Sequence, residues 1–290
     1  MEATTRMKHA YLIMAHHEFV VLQELIDAID DERNDIYIHI DGKVKRMPHL
    51  KASKSKLTLL DERIKTIWAD VSMISVEYLL FRTALEQGEY GFYHFISGVH
   101  YPLKSQDEIH TYFDKRSGIS VLSPMGSTQD EIEMKLGLYH FFLKHLISRN
   151  RLVNKLYHIL WRISLGVQQK MGMKRDVSYV RNKAANWCSL SDEAVREVLR
   201  QEKQMLRRLR HTFCQDEFLV PAVLANAGLP VAFEEKFLYA VFTPYTPKVL
   251  TENDFDDLMK SECLFARKFS ARQSMRLIQR IKSTFLDGQS

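Results

Sequence analysis

Cysteine is scarce in this chain of 290 residues: Cys188, Cys214 and Cys263 are the only three, and they stand far apart. That excludes a disulfide framework and a cysteine-based zinc site. Long apolar runs are missing as well, and none reaches the roughly 18–20 residues that cross a bilayer. The first residues, Met1–Met7, are polar, and Ala10–Met14 is too short for the apolar part of a secretory signal. Cytoplasmic residence in a reducing compartment, free or peripheral at the inner membrane face, is the expectation. Several catalytic signatures are also absent: P-loop, GxGxxG fingerprint, GxSxG elbow and HExxH pair. With 46% apolar and 27% charged residues, the chain can bury one large core with at most a small appendage.

Negative charge is missing from one long stretch. No acidic residue stands between Glu133 and Asp176, whereas Lys135, Lys144, Arg149, Arg151, Lys155, Arg162, Lys170, Lys174 and Arg175 are all basic. Phe142, Leu146, Val153, Leu156, Leu160 and Ile163 recur there at steps of three or four residues or their multiples. The pattern is that of a basic amphipathic helix. It suits a helix packed on the core with a solvated basic face, a helix docked on an anionic membrane, or a polyanion site. Nucleic acid is not expected as a partner.

Two strand-ending motifs lie near the front: His16-His17-Glu18 after Ala10–Met14, and His39-Ile40-Asp41-Gly42-Lys43 after Asp35–Tyr37. Between them, Val21, Leu22, Leu25, Ile26 and Ile29 have helical spacing. The whole reads as strand, helix, parallel strand. Polar residues just past such strand ends collect in the crevice where open α/β sheets bind ligands. A sugar-nucleotide site is the first expectation.

Further strands are expected at Leu57–Leu60, Phe92–Ile96, Ile119–Leu122, Trp187–Leu190 and Phe237–Phe242. Helices are expected at Ser72–Glu86, Gln106–Lys115, Asp192–Leu209, Asp254–Glu262 and from Ala271 towards Phe285. Ser105-Gln106-Asp107-Glu108 has the form of a capping box. A short helix including Phe218–Ala227 is closed by Gly228 and Pro230. This alternation points to an α/β layer fold. Residues 125–183 interrupt it as a basic helical insertion within a single domain, 1–290.

Two segments carry candidate chemistry. In Cys214-Gln215-Asp216-Glu217-Phe218, two acids precede an apolar helix. A helix N-terminus favours an ionised carboxylate, so one acid is expected to cap while the other faces the site as a general base, a role worth roughly 10²–10⁴ in rate. The plainer reading has both acids merely capping, and Pro221 complicates the register. In Phe265-Ala266-Arg267-Lys268-Phe269, alternation puts Arg267 on one face and Lys268 on the other. Either is suited to neutralise a pyrophosphate without a metal; the alternative is a solvated basic pair on an edge strand. His16, His17, His39 and Asp41 are candidate metal ligands by type, but no supporting spacing accompanies them. The single Asp-x-Asp triplet, Asp254-Phe255-Asp256, looks like the capped start of a helix. No metal and no cofactor is expected.

With these segments in hand, the chain resembles glycosyltransferase family 14, the core-2/I-branching β-1,6-N-acetylglucosaminyltransferases and the related peptide O-xylosyltransferases. The likeness runs through Ala10–His17, Ile38–Lys43, Phe95–Lys104 (like a Gly-x-Asp-x-Pro-x-Lys stretch), Ala185–Ser191, Asp216-Glu217-Phe218 and Phe265–Phe269. Each segment is weak alone; six in order are a strong signal, covering most of the chain outside 125–183.

The resemblance implies a GT-A-type Rossmann-like nucleotide-sugar-binding fold with a mixed central sheet flanked by helices. It implies an inverting, metal-independent transferase acting on a UDP-sugar, in a bacterial form, with Glu217 as general base and Lys268 compensating the leaving diphosphate. Residues 1–124 form the donor half and 184–290 the acceptor half. His16, His39, Asp41, Ser97, Asn186, Trp187, Asp216, Arg267 and Lys268 are expected to bind substrate. N-acetylglucosamine is the expected sugar and a glycan hydroxyl the acceptor, lipid-linked in the membrane reading. A xylosyl donor, or a non-catalytic membrane- or polyanion-binding module, are the alternatives. Three departures from the family stand out. Phe237–Phe242 lacks an arginine, leaving Arg267 or Lys248 to share its work; Trp68-Ala69-Asp70 replaces Trp-Gly-Gly; and His100 stands in place of an aspartate.

Overall fold

The computed structural model describes residues 7–146, 150–243 and 246–287. Parallel pairing starts the fold: β1 (His9–Ala15) lies beside β2 (Asn34–Ile40), joined by α1 (Phe19–Ile29). Every residue of both strands is buried, as in sheets covered on both faces. The helix packs because Val21, Leu22, Leu25, Ile26 and Ile29 share one face, and all five are buried. This is the strand–helix–strand unit expected from the spacing.

β3 (Lys56–Leu59) pairs in parallel with β2, and α2 (Ser72–Gln87) leads to β4 (Phe92–Ser97), parallel to β1. Then come β5 (His100–Pro102), α3 (Gln106–Asp114), β6 (Ser120–Met125), α4 (Gln129–Leu136) and α5 (Arg151–Lys170). β7 (Lys183–Ser191) is followed by α6 (Asp192–Arg200), α7 (Glu202–Leu209) and α8 (Leu219–Ala227). The chain closes with β8 (Val231–Phe233), β9 (Leu238–Ala240), α9 (Phe255–Lys260), β10 (Phe265–Arg267) and α10 (Met275–Asp287).

Seven strands form the main sheet in the order β3-β2-β1-β4-β7-β6-β8. β7 runs antiparallel to both neighbours, so the sheet is mixed, as expected. α2 packs on β1 and β2 and meets α6, while α8 lies against α6 and β7. A second sheet, β5-β10-β9, sits beside α1 through β5.

Several boundaries differ from expectation. The helix expected over Asp192–Leu209 divides at Gln201, whose φ/ψ of −89°/1° is not helical. α8 starts at Leu219, so Pro221 falls in the first turn, where backbone N–H groups lack helical partners anyway. Ser105 makes both bonds of its capping box. Thr251 and Asp254 make another before α9, so Asp254-Phe255-Asp256 is the capped helix start it resembles.

The basic segment departs most. Its ends belong to the main sheet, since β6 runs to Met125 and β7 begins at Lys183. Between those strand ends the segment carries α4 and α5. α5 does not pack its apolar stripe on the core: Leu152, Leu156, Ile159 and Ile163 are all exposed. The inward face instead carries Gln168, which bonds both backbone groups of Tyr139, and Trp161, whose Nε1 donates to His140. Arg149 lies outside the described residues.

Candidate active site

Three parallel strands end level, Met14 standing in register with His39 on β2 and with Ser97 on β4. Beyond β1 and β4 opens a cleft of about 840 Å³, a ligand's place in open α/β sheets. Gly98 permits the close approach of the two strand ends, since a Cβ there would lie 2.8 Å from Ala15 Cβ. His16, His17 and Ser97 line the cleft from these ends. Asn186 and Trp187 line it from β7, Asp216 and Glu217 from the turn before α8, and Arg267 and Lys268 from the end of β10.

His39 and Asp41 are the correction to this set: neither lines the cleft, and both are buried. His39 Nε2 accepts the Ile64 N–H, and Asp41 accepts from Thr66 and from the Lys43 N–H. They tie the loop after β2 to residues 64–66. Through that tie they hold Lys43, a cleft residue whose Nζ donates to Thr66 O at 2.6 Å.

Arg267 and Lys268 share the cleft although alternation separates them, because β10 ends at Arg267 and the period of two ends with it. β10 is the middle strand of its sheet, so the pair is not on an edge. The Arg267 guanidinium lies 5.1 Å from the Trp187 ring centre. Burial pulls its pKa down to about 10, against the attraction of Asp216. Its Nε has no hydrogen-bond partner among the described residues, leaving a donor for an anionic ligand. Lys248 does not share this work; it pairs with Asp254 outside the cleft.

His100 is fully buried behind Arg267, edge-on to Trp187 at 5.0 Å. Its Nδ1 accepts the Ser97 N–H at 3.0 Å and lies 2.7 Å from Ser97 Oγ. Burial, then the nearby Arg267 charge, pushes its pKa well down, so the ring is neutral. A neutral imidazole therefore stands where the family resemblance has an aspartate. Asn186 Oδ1 is buried without a described partner, an acceptor open to a ligand.

The acid pair differs from expectation in an instructive way. Gln215–Glu217 form a single 3-10 turn, and α8 begins after it with Phe218 at the cap and no side-chain cap bond. Neither acid caps. Glu217 Oε2 instead meets Lys135 Nζ at 2.8 Å and Lys183 Nζ at 3.9 Å. Glu131 bridges the same two lysines, at 2.9 Å from Lys135 and 2.5 Å from Lys183. Burial opposes the Lys135 charge, but its bonds to Glu217 and Glu131 prevail and raise its pKa. Both lysine contacts of Glu217 run to Oε2. Asp216 is pushed up to about 6 by burial and by the neighbouring Glu217 charge. Beneath it, Glu77 on α2 is fully buried; burial and Asp216 together raise its pKa well above the usual carboxylate range.

Lys135, Lys183 and Glu131 are site residues that sequence reading missed. Lys135 stands among the basic residues of the acid-free stretch, and its signal was the Glu131–Lys135 spacing of four on a helix headed by Thr128. Lys183 gives little signal, because one lysine at a strand start reads as an exposed end. Trp68, in the segment that departs from Trp-Gly-Gly, also lines the cleft. It stands 58% exposed at the cleft, edge-on to Phe213 at 5.5 Å.

Among the described residues no three His, Cys, Asp or Glu side chains gather as a metal-holding group. A family model described as the core-2/I-branching enzyme matches residues 9–236. That span contains Ser97, Lys135, Asn186, Asp216 and Glu217, and ends before Arg267 and Lys268. No curated protein matches the chain significantly. With this match spanning well over half its length, and a mixed sheet of GT-A-like form behind the cleft, the chain belongs to the core-2/I-branching enzyme family of glycosyltransferases.

Proposed function

We propose that the protein transfers a sugar, N-acetylglucosamine, from its UDP conjugate to a glycan hydroxyl with inversion and without a metal. The observation that carries this reading is the joint lining of one cleft by two carboxylates, Asp216 and Glu217, and two cations, Arg267 and Lys268. Glu217 of the first pair suits acceptor deprotonation, and the second pair suits diphosphate departure. Residues 1–124 supply the donor half and 184–290 the acceptor half.

In this mechanism Glu217 takes the proton of the acceptor hydroxyl as that oxygen attacks the anomeric carbon. The new carbon–oxygen bond forms on the face opposite the diphosphate. The bond to the diphosphate oxygen breaks, and its electron pair leaves with UDP. Arg267 and Lys268 meet that charge as it develops on the leaving diphosphate. Lys135 and Lys183 hold Glu217 by Oε2. Trp187 carries Arg267 on its ring face, and Ser97, Asn186 and His16 orient the donor.

The test is a melting-temperature screen of the purified chain against UDP-sugars, followed by transfer in excess EDTA. Stabilisation by UDP-N-acetylglucosamine and EDTA-resistant turnover are the expected results. Preference for UDP-xylose would move the donor assignment. Loss of turnover in EDTA, restored by manganese, would overturn the metal-free mechanism.

A further inference from the structure

The apolar face of α5 is turned away from the protein. Leu152, Leu156, Ile159, Ile163 and Val167 recur at steps of three and four and are between 46% and 79% exposed. Met171, 70% exposed, continues the line past the helix end, and Phe141 and Phe142 are exposed on the loop before it. An ordinary surface helix does the reverse, burying such a stripe and wetting its polar residues. Here the polar and aromatic residues face inward. Gln168 is buried, Asn154, Tyr157 and Trp161 are partly buried, and Gln168 and Trp161 are bonded to the loop at Tyr139–His140. Gln168 and Trp161 are thus bonded on the inward face, where Asn154 Oδ1 alone has no partner among the described residues, and the outward apolar face is the one that wants cover.

Charge says what the cover is. Arg151, Lys155 and Arg162 fall on one flank of the stripe by helical geometry, and Lys170 lies at its end. All four are exposed. No acidic residue occurs from residue 134 to 175 to neutralise them. A convex, aliphatic and uniformly cationic face complements a surface that is apolar below and anionic above. At 20 residues α5 is long enough to lie in such a surface, and no described helix is apolar enough to cross one.

We propose that α5 lies in the interfacial plane of an anionic lipid membrane, its Leu152–Val167 stripe among the acyl chains and its basic flank at the headgroups. The docked helix is joined to the cleft by aromatic rings. Trp161 stands 5.9 Å from Phe213, and Phe213 stands 5.5 Å from Trp68 at the cleft. Phe213 also stands two residues before the turn that carries Asp216 and Glu217. Docking therefore sets the cleft beside the lipid surface.

The experiment is co-sedimentation of the full chain with vesicles of phosphatidylcholine alone or mixed with phosphatidylglycerol. The chain should partition to the mixed vesicles and be released by salt. The triple variant Leu156→Glu, Ile159→Glu, Ile163→Glu should lose at least about tenfold in partitioning, because each change removes buried apolar area and adds repulsion. Charge reversal at Arg151, Lys155 and Arg162 should abolish the preference for phosphatidylglycerol. The substituted side chains are exposed, so melting temperature should stay that of the native chain and exclude unfolding as the cause. Glu217→Gln should bind vesicles as the native chain does, so docking stands or falls apart from the proposed chemistry. The proposal is overturned if the chain ignores both vesicle types. It is equally overturned if the stripe instead holds together a dimer in sedimentation equilibrium that Ile159→Glu dissolves.

Discussion

Lys135 Nζ lies 2.8 Å from Glu217 Oε2, joining α4 to the turn before α8 across 82 residues of chain. The bond occupies one oxygen of the carboxylate, and Lys183 and Glu131 complete a four-member ion network that is largely withdrawn from water. Such a network fixes orientation more surely than it adds stability.

Replacing Lys135 should therefore injure turnover more than binding. Lys135→Met is expected to lower kcat roughly ten- to hundredfold, since small displacements of a reacting group carry costs of that size. KM for the UDP-sugar should change far less, because Lys135 does not line the cleft. Lys135→Arg should restore much of the rate by rebuilding the ion pair. Steady-state kinetics of the two variants check this; a loss confined to KM would contradict it.

Asp216 supplies the pH dependence. Its folded pKa of about 6 lies above the ordinary 3.8. The folded state thus holds this proton more tightly than the unfolded chain, and stability falls as pH rises through that interval. Asp216→Asn should leave stability unchanged below about pH 4. Above pH 6 to 7 it should stabilise, by at most about 3 kcal/mol for a shift of this size, less what cleft water screens. Denaturant melts across that range are the check. A gain of equal size at every pH would assign the effect to packing.

Ala69 carries a left-handed backbone, φ 59°, in the Trp68-Ala69-Asp70 segment where the family resemblance has glycine. An L-residue pays roughly 1–2 kcal/mol for that conformation. Ala69→Gly should thus raise the melting temperature or leave it level, the relief offset by greater freedom of the unfolded chain. Ala69→Val should lower it clearly, because a β-branched residue tolerates positive φ worst and the site is buried. Thermal melts of both variants decide.

How far the sequence discloses this molecule follows from the range of each signal. The β1–α1–β2 unit is legible because its short apolar strand runs and the 3.6-residue spacing of the helix between them are local signals. The two ends of the site, Asp216-Glu217 and Arg267-Lys268, are visible as charges beside apolar runs. Their meeting is not, because 50 residues separate them and the second sheet brings them together. The facing of Lys268 is misread for a local reason, the end of β10 one residue earlier. His39 and Asp41 look like cleft residues by position, yet their bonds to residues 64–66 turn them inward. An apolar stripe on α5 is visible in the sequence through Val153, Leu156, Leu160 and Ile163, but the most exposed line, Leu152-Leu156-Ile159-Ile163-Val167, shares only Leu156 and Ile163 with it. That it faces outward depends on Gln168 and Trp161 finding partners at Tyr139 and His140, a tertiary fact no spacing encodes.

The central claim is that Glu217 removes the acceptor proton, and one comparison tests it most directly. Turnover of Glu217→Gln is measured beside its UDP affinity and its melting temperature. The account predicts transfer lowered by at least about a hundredfold, the lower part of the range for a lost general base, with UDP binding and the fold retained. Near-normal turnover in that variant would contradict it.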